Sequence, residues 1–383
     1  MMLRDSRLLV LLVAGSLTTM AGGVVAPILP EMVQQLHLNP AFAGNLVSMH
    51  CLTIALFSPP LGILADKVGR LRVLVPSLIL YALFGMAGAL LHTLGPLLVV
   101  RGLLGAASGG IAAASLGLLG SMYEGEKRSQ ALGYATSTLT ITGIAFPLLG
   151  GWVGSTHWQF AFLLYGLGLP LALLAALVLK DKQQIKAKPI AKDSSSKLRD
   201  VLAHPYTLRL LLTLSLASVA MYAVVIYAPL YLKVTIGAGA ALNGIVLASR
   251  AIGAAIISAF CAKWLAKTLG AAQATAAGFG LMALTLMTIP LLHQISWIVL
   301  TAIFFGAGFG IVLPTLYSTL ASLAPSDLRS SVLAAGTGAG FLGQFLSPIV
   351  LGPVLGYGGL EGVFYAAATI ALVTGLLLFA PTR

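Results

Sequence analysis

Twelve apolar stretches of about 20 residues follow one another along the chain, separated by short turns that hold most of its charge. They run roughly 8–30, 41–64, 72–92, 96–120, 130–153, 158–180, 207–232, 240–262, 270–292, 296–321, 330–355 and 360–380. At 1.5 Å per residue, each is long enough as a helix to cross about 30 Å of hydrocarbon. Only 8% of the 383 residues are charged and 58% are hydrophobic, whereas soluble domains carry roughly 25% charge. A soluble core has no room for that much apolar surface, so the solvent must be lipid, and the expected class is an all-α integral membrane protein. The two cysteines, Cys51 and Cys261, fall inside apolar stretches, which argues against a disulfide or metal framework.

The net charge of +12 resembles a nucleic-acid signal until the cations are placed. Nineteen of the 22 Lys and Arg lie in turns on the side that holds the N-terminus; Lys233 lies opposite, and Arg101 and Arg250 lie within spans. Charge spread over loops is no basic face, so nucleic acid is rejected as a partner. The positive-inside rule puts both termini in the cytoplasm of a cell whose inner (plasma) membrane the chain spans. A miscounted helix would scramble the sides, so the bias supports the count of twelve as well. Arg4 and Arg7 precede an apolar run as in a secretory leader. That run is too long for one and shows no small-residue cleavage site before Pro27, so a retained first helix is expected.

The one long hydrophilic segment, Lys180 to His204, reads as a flexible linker with a short surface helix near Lys197–Ala203. It divides the chain into bundles 1–180 and 207–383 around a linker at 181–206. The halves repeat. Leu64-Ala65-Asp66-Lys67-Val68-Gly69 matches Leu265-Ala266-Lys267-Thr268-Leu269-Gly270 at a separation of 201 residues. The same separation pairs Gly105-Ala106 with Gly306-Ala307, Gly109 with Gly310, Arg128 with Arg329, Pro147 with Pro348 and Gly151 with Gly352. Parallel six-helix halves related by a pseudo-twofold axis along the membrane normal are an architecture of transporters, with substrate held between them near the midplane.

Between the second and third spans lies Gly62-Ile63-Leu64-Ala65-Asp66-Lys67-Val68-Gly69-Arg70-Leu71-Arg72. Gly69 permits the turn, and Asp66 and Arg70 are spaced to pair at the membrane surface. This stretch resembles the loop signature of the major facilitator superfamily of secondary transporters. Pro27-Ile28-Leu29-Pro30, Arg101-Gly102-Leu103-Leu104-Gly105 and Pro147-Leu148-Leu149-Gly150-Gly151 are similar to segments of its twelve-helix drug:proton antiporter branch. In the last, Phe146 stands where the branch has glycine. The resemblance implies the major facilitator fold, alternating access, a proton-coupling role for Arg101, and gating roles for Asp66, Gly69, Arg70, Pro147, Gly150 and Gly151. Asp66 is expected to face the start of the eleventh helix around Asp327–Ser331 as a latch, at a helix N-terminus that favours a carboxylate.

Ionisable residues inside a membrane are the default functional candidates. Arg101 carries Ser108 and Ser115 on its helical face. Against a coupling role stands an arginine reaching outward to the interface. Arg250 is about ten residues into the eighth span, near the midplane, and His50 sits at almost the same depth in the second; a buried structural pair and a packing hydrogen bond are their bland alternatives. Ser215, Ser218 and Tyr222 share one face of the seventh span, and Thr337 and Gln344 one of the eleventh, lining a path or simply bridging helices. Tyr227 and Tyr231 read as interfacial aromatics. The ten carboxylates all fall at or beyond the span ends.

The sequence offers no phosphate loop, metal cluster or nucleophile–base pair, so no enzyme activity and no cofactor are expected. A monomeric, proton-coupled exporter of a small amphipathic molecule is the leading expectation. The alternatives are a carrier of an organic anion held by Arg101 and Arg250, and a transport-dead membrane receptor or sensor.

Overall fold

The computed structural model describes residues 5–179, 192–325 and 328–378. The whole of the basic segment 180–191, together with residues 1–4, Ser326, Asp327 and 379–383, lies outside the described residues. What is described is almost entirely helical, and eleven helices are long and apolar enough to cross a membrane. The eleventh runs 49 residues, Arg329–Leu377. At 1.5 Å per residue that is more than twice a bilayer's hydrocarbon thickness, so it makes two passes. Gly359 separates them, with φ 64° and ψ −170° that helical residues do not adopt.

The spans are α1 (Ser6–Gln35), α2 (Pro40–Val68), α3 (Arg70–Leu90), α4 (Leu94–Met122), α5 (Gly125–Val153), α6 (Trp158–Val178), α7 (Pro205–Ile236), α8 (Ala240–Phe260), α9 (Ala271–Leu291) and α10 (Ile295–Leu323). The last helix divides into α11 (329–358) and α12 (360–377). A further helix, Lys192–Ala203, precedes α7 and begins earlier than the sequence suggests. Local chemistry sets several boundaries. The Asp5 carboxylate caps α1 through the Arg7 amide, and the Asn39 side chain caps α2 through the Ala41 amide, with Pro40 in the first helical position. Pro27 interrupts α1 with a 3-10 turn, Ala26–Ile28.

The chain forms two compact units. The first holds residues 1–187 together with the opening turn of α8, Gly239–Gly244; the second holds 188–238 and 245–383. In the first, α2 and α4 meet backbone to backbone: a Cβ on Gly105 would lie 2.4 Å from the His50 carbonyl oxygen, and one on Gly109 would lie 3.0 Å from the Ser58 amide nitrogen. In the second, α8 and α10 meet the same way. A Cβ on Gly306 would clash with the Arg250 carbonyl, and one on Gly310 would lie 2.5 Å from that of Ala254. Arg128 lies over Gly120, and Arg329 donates from Nε to the Ala321 carbonyl at 3.1 Å. Gly69 and Gly270 turn the chain with positive φ of 113° and 87°. Each unit therefore uses the same contacts at the positions the internal repeat pairs.

The separation is not uniform. Gly105 and Gly306, 201 apart, meet His50 and Arg250, which are 200 apart. His50, rather than Met49, is the counterpart of Arg250 along the α2 and α8 packing ridge. The missing residue is restored where α8 breaks at Cys261 before the short helix Ala262–Leu269, a stretch that α2 crosses without a break.

Candidate substrate and proton pathway

Arg101 is 1% exposed, in the core of the first unit. Its Nε donates to the Leu46 carbonyl at 2.8 Å, Nη1 to the Tyr165 hydroxyl at 3.0 Å, and Nη2 to the Ala21 carbonyl. Nη2 also lies 3.3 Å from His50 Nδ1. The Tyr165 hydroxyl donates in turn to Ala21 O at 2.9 Å, and Tyr81, edge-on to the Tyr165 ring, donates to Leu17 O at 2.7 Å. The guanidinium thus ties α1, α2, α4 and α6 together through neutral acceptors. A guanidinium only donates, so in that contact His50 Nδ1 accepts; Nε2 lies 3.4 Å from Cys51 Sγ. Arg101 does not reach outward to an interface, and its partners are backbone carbonyls that no sequence motif announces.

Ser108, on the same face, donates to Leu104 O of its own helix at 2.8 Å, while the buried Ser115 hydroxyl has no partner among the described residues. At one end of the unit, Arg70 binds Asp66 Oδ1 through Nε at 3.1 Å and Nη2 at 2.9 Å, and its Nη1 donates to the Gly117 carbonyl. Asp66, Gly69 and Arg70 thereby join the end of α2, the start of α3 and the last turns of α4. Ser326 and Asp327, part of the turn expected to face Asp66, lie outside the described residues.

Pro147, Gly150 and Gly151 form the close-packed stretch of α5. A Cβ on Gly150 would lie 2.6 Å from Val24 Cα, and one on Gly151 would lie 2.4 Å from the Ala240 carbonyl. Gly244 is held as tightly against the Pro147 carbonyl. Phe146 is accommodated from the other side, because a Cβ on Gly23 of α1 would lie 3.2 Å from Phe146 Cβ. The space that a glycine at 146 would leave comes from Gly23 instead. The sequence reading missed Asn243, whose amide donates to the Pro27 carbonyl at 3.2 Å. The proline break in α1 frees carbonyls at that point, which is the one signal that pointed there.

In the second unit, Arg250 Nε is sealed from solvent and has no hydrogen-bond partner among the described residues. Tyr222 of α7 is its electrostatic neighbour and is buried. Gln344 is half-buried on α11, and Thr337 is exposed there with its hydroxyl bonded to Leu333 O. Ser218 is buried beside Gly340, and Ser215 meets Gly343 through its backbone. Tyr227 and Tyr231 correct the sequence reading. They are 0% and 3% exposed, packed inside the unit rather than at its surface, and Tyr231 donates to the Pro290 carbonyl at 2.9 Å. Helix α7 is buried on nearly all sides through this stretch, so its aromatics have no interface to reach.

Stacked apolar helices with intramembrane cations and glycine-tight crossings define a multi-pass membrane carrier. The model of the Major Facilitator Superfamily matches residues 11–348, and the chain belongs to that family. It is therefore a transporter and not an enzyme. Among characterised proteins it is similar to the multidrug export protein EmrB of Haemophilus influenzae, with 30% identity over 36% of this chain and 28% of that protein. It is similar also to the galacturonate transporter of Dickeya chrysanthemi (32%, over 40% and 44%) and the quinolone resistance protein NorA of Staphylococcus aureus (25%, over 51% and 52%). The chain thus matches about half or less of the length of these relatives. In fold it is similar to a bacterial homolog of the human lysosomal transporter Spinster, with TM-score 0.82 and 15% identity over 98% of this chain and 96% of that one. A D-xylose–proton symporter aligns with TM-score 0.77 and 13% identity over 99% and 98%.

Proposed function

We propose that the chain is a proton-coupled secondary transporter that exports small amphipathic molecules by alternating access. It works as a monomer in a cell inner membrane with both termini cytoplasmic. The partial likeness to a multidrug export protein and to a quinolone resistance protein supports efflux. Asp66, Gly69 and Arg70 at one end, and Pro147, Gly150 and Gly151 in α5, are the gating elements in this reading, because each joins helices through contacts with no slack.

The observation that carries proton coupling is the contact between Arg101 and His50. Imidazole is the side chain whose charge changes near neutral pH. Here its Nδ1 accepts from a cation at 3.3 Å. A proton arriving on Nδ1 would set one N–H against another and two positive charges side by side, so it must break the contact. Arg101 from α4, Tyr165 from α6 and Cys51 beside it make up this cluster, which contains no carboxylate to offset the new charge. Proton uptake and helix rearrangement are thereby linked.

The test is flux in proteoliposomes across an imposed pH gradient, with a fluorescent quinolone as the probe. The wild-type protein drives probe against its gradient and dissipates the proton gradient as it does so. His50→Gln, which keeps an acceptor without a titrating group, retains probe binding but loses gradient-driven flux by about tenfold or more. Flux in His50→Gln that still follows the pH gradient would remove the imidazole from the coupling path.

A further inference from the structure

The two intramembrane arginines are in opposite states. Every nitrogen of Arg101 has a partner, in carbonyls, a phenol and an imidazole. Arg250, ten residues into α8 and about 15 Å from its start, has an Nε that is shut off from solvent without any hydrogen-bond partner among the described residues. Its backbone has no freedom to move the side chain elsewhere. Gly306 is pressed against its carbonyl and Gly253, three residues on, against the carbonyl of Ile303, so the register of α8 on α10 is locked. Where the first unit has a guanidinium at 101, the repeat puts Ala302. Nor is there a carboxylate in reserve, since the sequence has no Asp or Glu between Asp200 and Asp327.

We infer that Arg250 is the headgroup-reading residue of the substrate site, and that the transported molecule carries an anionic group, carboxylate or phosphate, on an apolar body. The inference rests on the transporter reading above and adds the charge of the substrate to it. A planar guanidinium with a free Nε–H offers a fork of donors to two anionic oxygens, which an ammonium does not. Arg250 is half-buried, and its sealed Nε–H has lost water without gaining a partner among the described residues, so an anion is the ligand that gains most there. Tyr222 on α7 is the electrostatic neighbour of the same group. An apolar body suits the neighbouring sequence of α8, where Leu247, Ala248, Ala251 and Ile252 flank Arg250.

The experiment uses the full chain in detergent with four probes of one shape: 2-naphthoate, 2-naphthyl phosphate, 2-naphthamide and 2-naphthylmethylammonium. Affinity is read by isothermal titration and folding by the melting curve. The wild type is expected to bind naphthoate or naphthyl phosphate at least tenfold more tightly than the amide and the ammonium, and the tighter of the two anions identifies the headgroup. Arg250→Lys keeps the charge but loses the fork, and is expected to weaken anion binding about tenfold with the melting temperature little changed. Arg250→Gln removes the preference for anions altogether. A wild type with no preference for either anion over the amide overturns the inference, as does an Arg250→Lys protein that melts normally and binds the anions unchanged. Flux of the four probes in proteoliposomes separates the two readings. An anion that binds through Arg250 but never crosses refutes transport and leaves the site, whereas a transported amide or ammonium beside an untransported anion refutes the site and leaves transport.

Discussion

At the scale of single residues, Arg101, Arg70 and Asp5 are each held by a different kind of partner. Arg101 is neutralised by dipoles and Arg70 by a carboxylate. Asp5 is held by three contacts: it pairs with Arg7 at 3.0 Å, caps α1, and accepts from the Tyr123 hydroxyl at 2.9 Å. The Arg7 side chain bonded to Asp5 holds its carboxyl below the usual range. Partial burial, then the Asp5 hydrogen bond and charge, pushes Tyr123 up to about 12. Tyr123 therefore binds its proton more tightly in the folded chain than in the unfolded one. Its contribution is fully present below pH 10, the unfolded value, and is lost as pH rises towards 12. Melting temperatures of the wild type should fall over that window by more than those of Tyr123→Phe, and parallel curves would contradict the assignment. Asp5 has the opposite sign: its contribution is present above about pH 4, the unfolded value, and is lost as pH falls through its depressed folded value.

At the scale of elements, glycine at helix crossings does what large apolar residues do in soluble cores. Association in lipid gains little from burying apolar surface, so close backbone approach has to supply the contact. Gly105 on α4 and Gly306 on α10 are the tightest such places in their units. Gly306→Ala puts a methyl into the Arg250 carbonyl and should destabilise the protein by about 1–3 kcal/mol, since a packed backbone yields little. Gly280, with open space where its Cβ would stand, is the control. A Gly306→Ala protein that melts with the Gly280→Ala protein would show that α8 and α10 can part freely. The Phe146 and Gly23 pair shows the converse, with bulk moved from one helix to the other while the crossing stays close.

At the scale of the whole molecule, most of the architecture could be read from the sequence because lipid imposes a length on each spanning helix and glycines mark the crossings of α2 with α4 and α8 with α10. The twelve spans, the paired glycines at 105 and 306, and the turns at Gly69 and Gly270 all left a direct mark. What was hidden depends on backbone atoms. The carbonyls that receive Arg101 carry no residue identity, so its embedding was invisible. The one-residue slip between α2 and α8 was masked because the loops after them return to a separation of 201, and only the contacts of Gly105 with His50 and Gly306 with Arg250, with the break at Cys261, reveal it. Tyr227 and Tyr231 misled because tyrosine suits both a membrane interface and a buried helix, and only packing decides between them. The candidate site divides the same way. His50 and Arg101 were each legible as intramembrane polar groups, but their contact was not.

The central claim is that this chain is a carrier, which binds a solute on one side and releases it on the other. Counterflow tests it most directly. Proteoliposomes holding the purified protein are loaded with a high concentration of an unlabelled quinolone, diluted into a trace of the same quinolone radiolabelled, and sampled with no pH or voltage gradient. A carrier returns from each outward trip with labelled solute, so the label should accumulate transiently above its external concentration and then decay. A monotonic approach to equilibrium at the rate of protein-free liposomes, by a protein that binds the quinolone, would contradict alternating access and leave a receptor in its place.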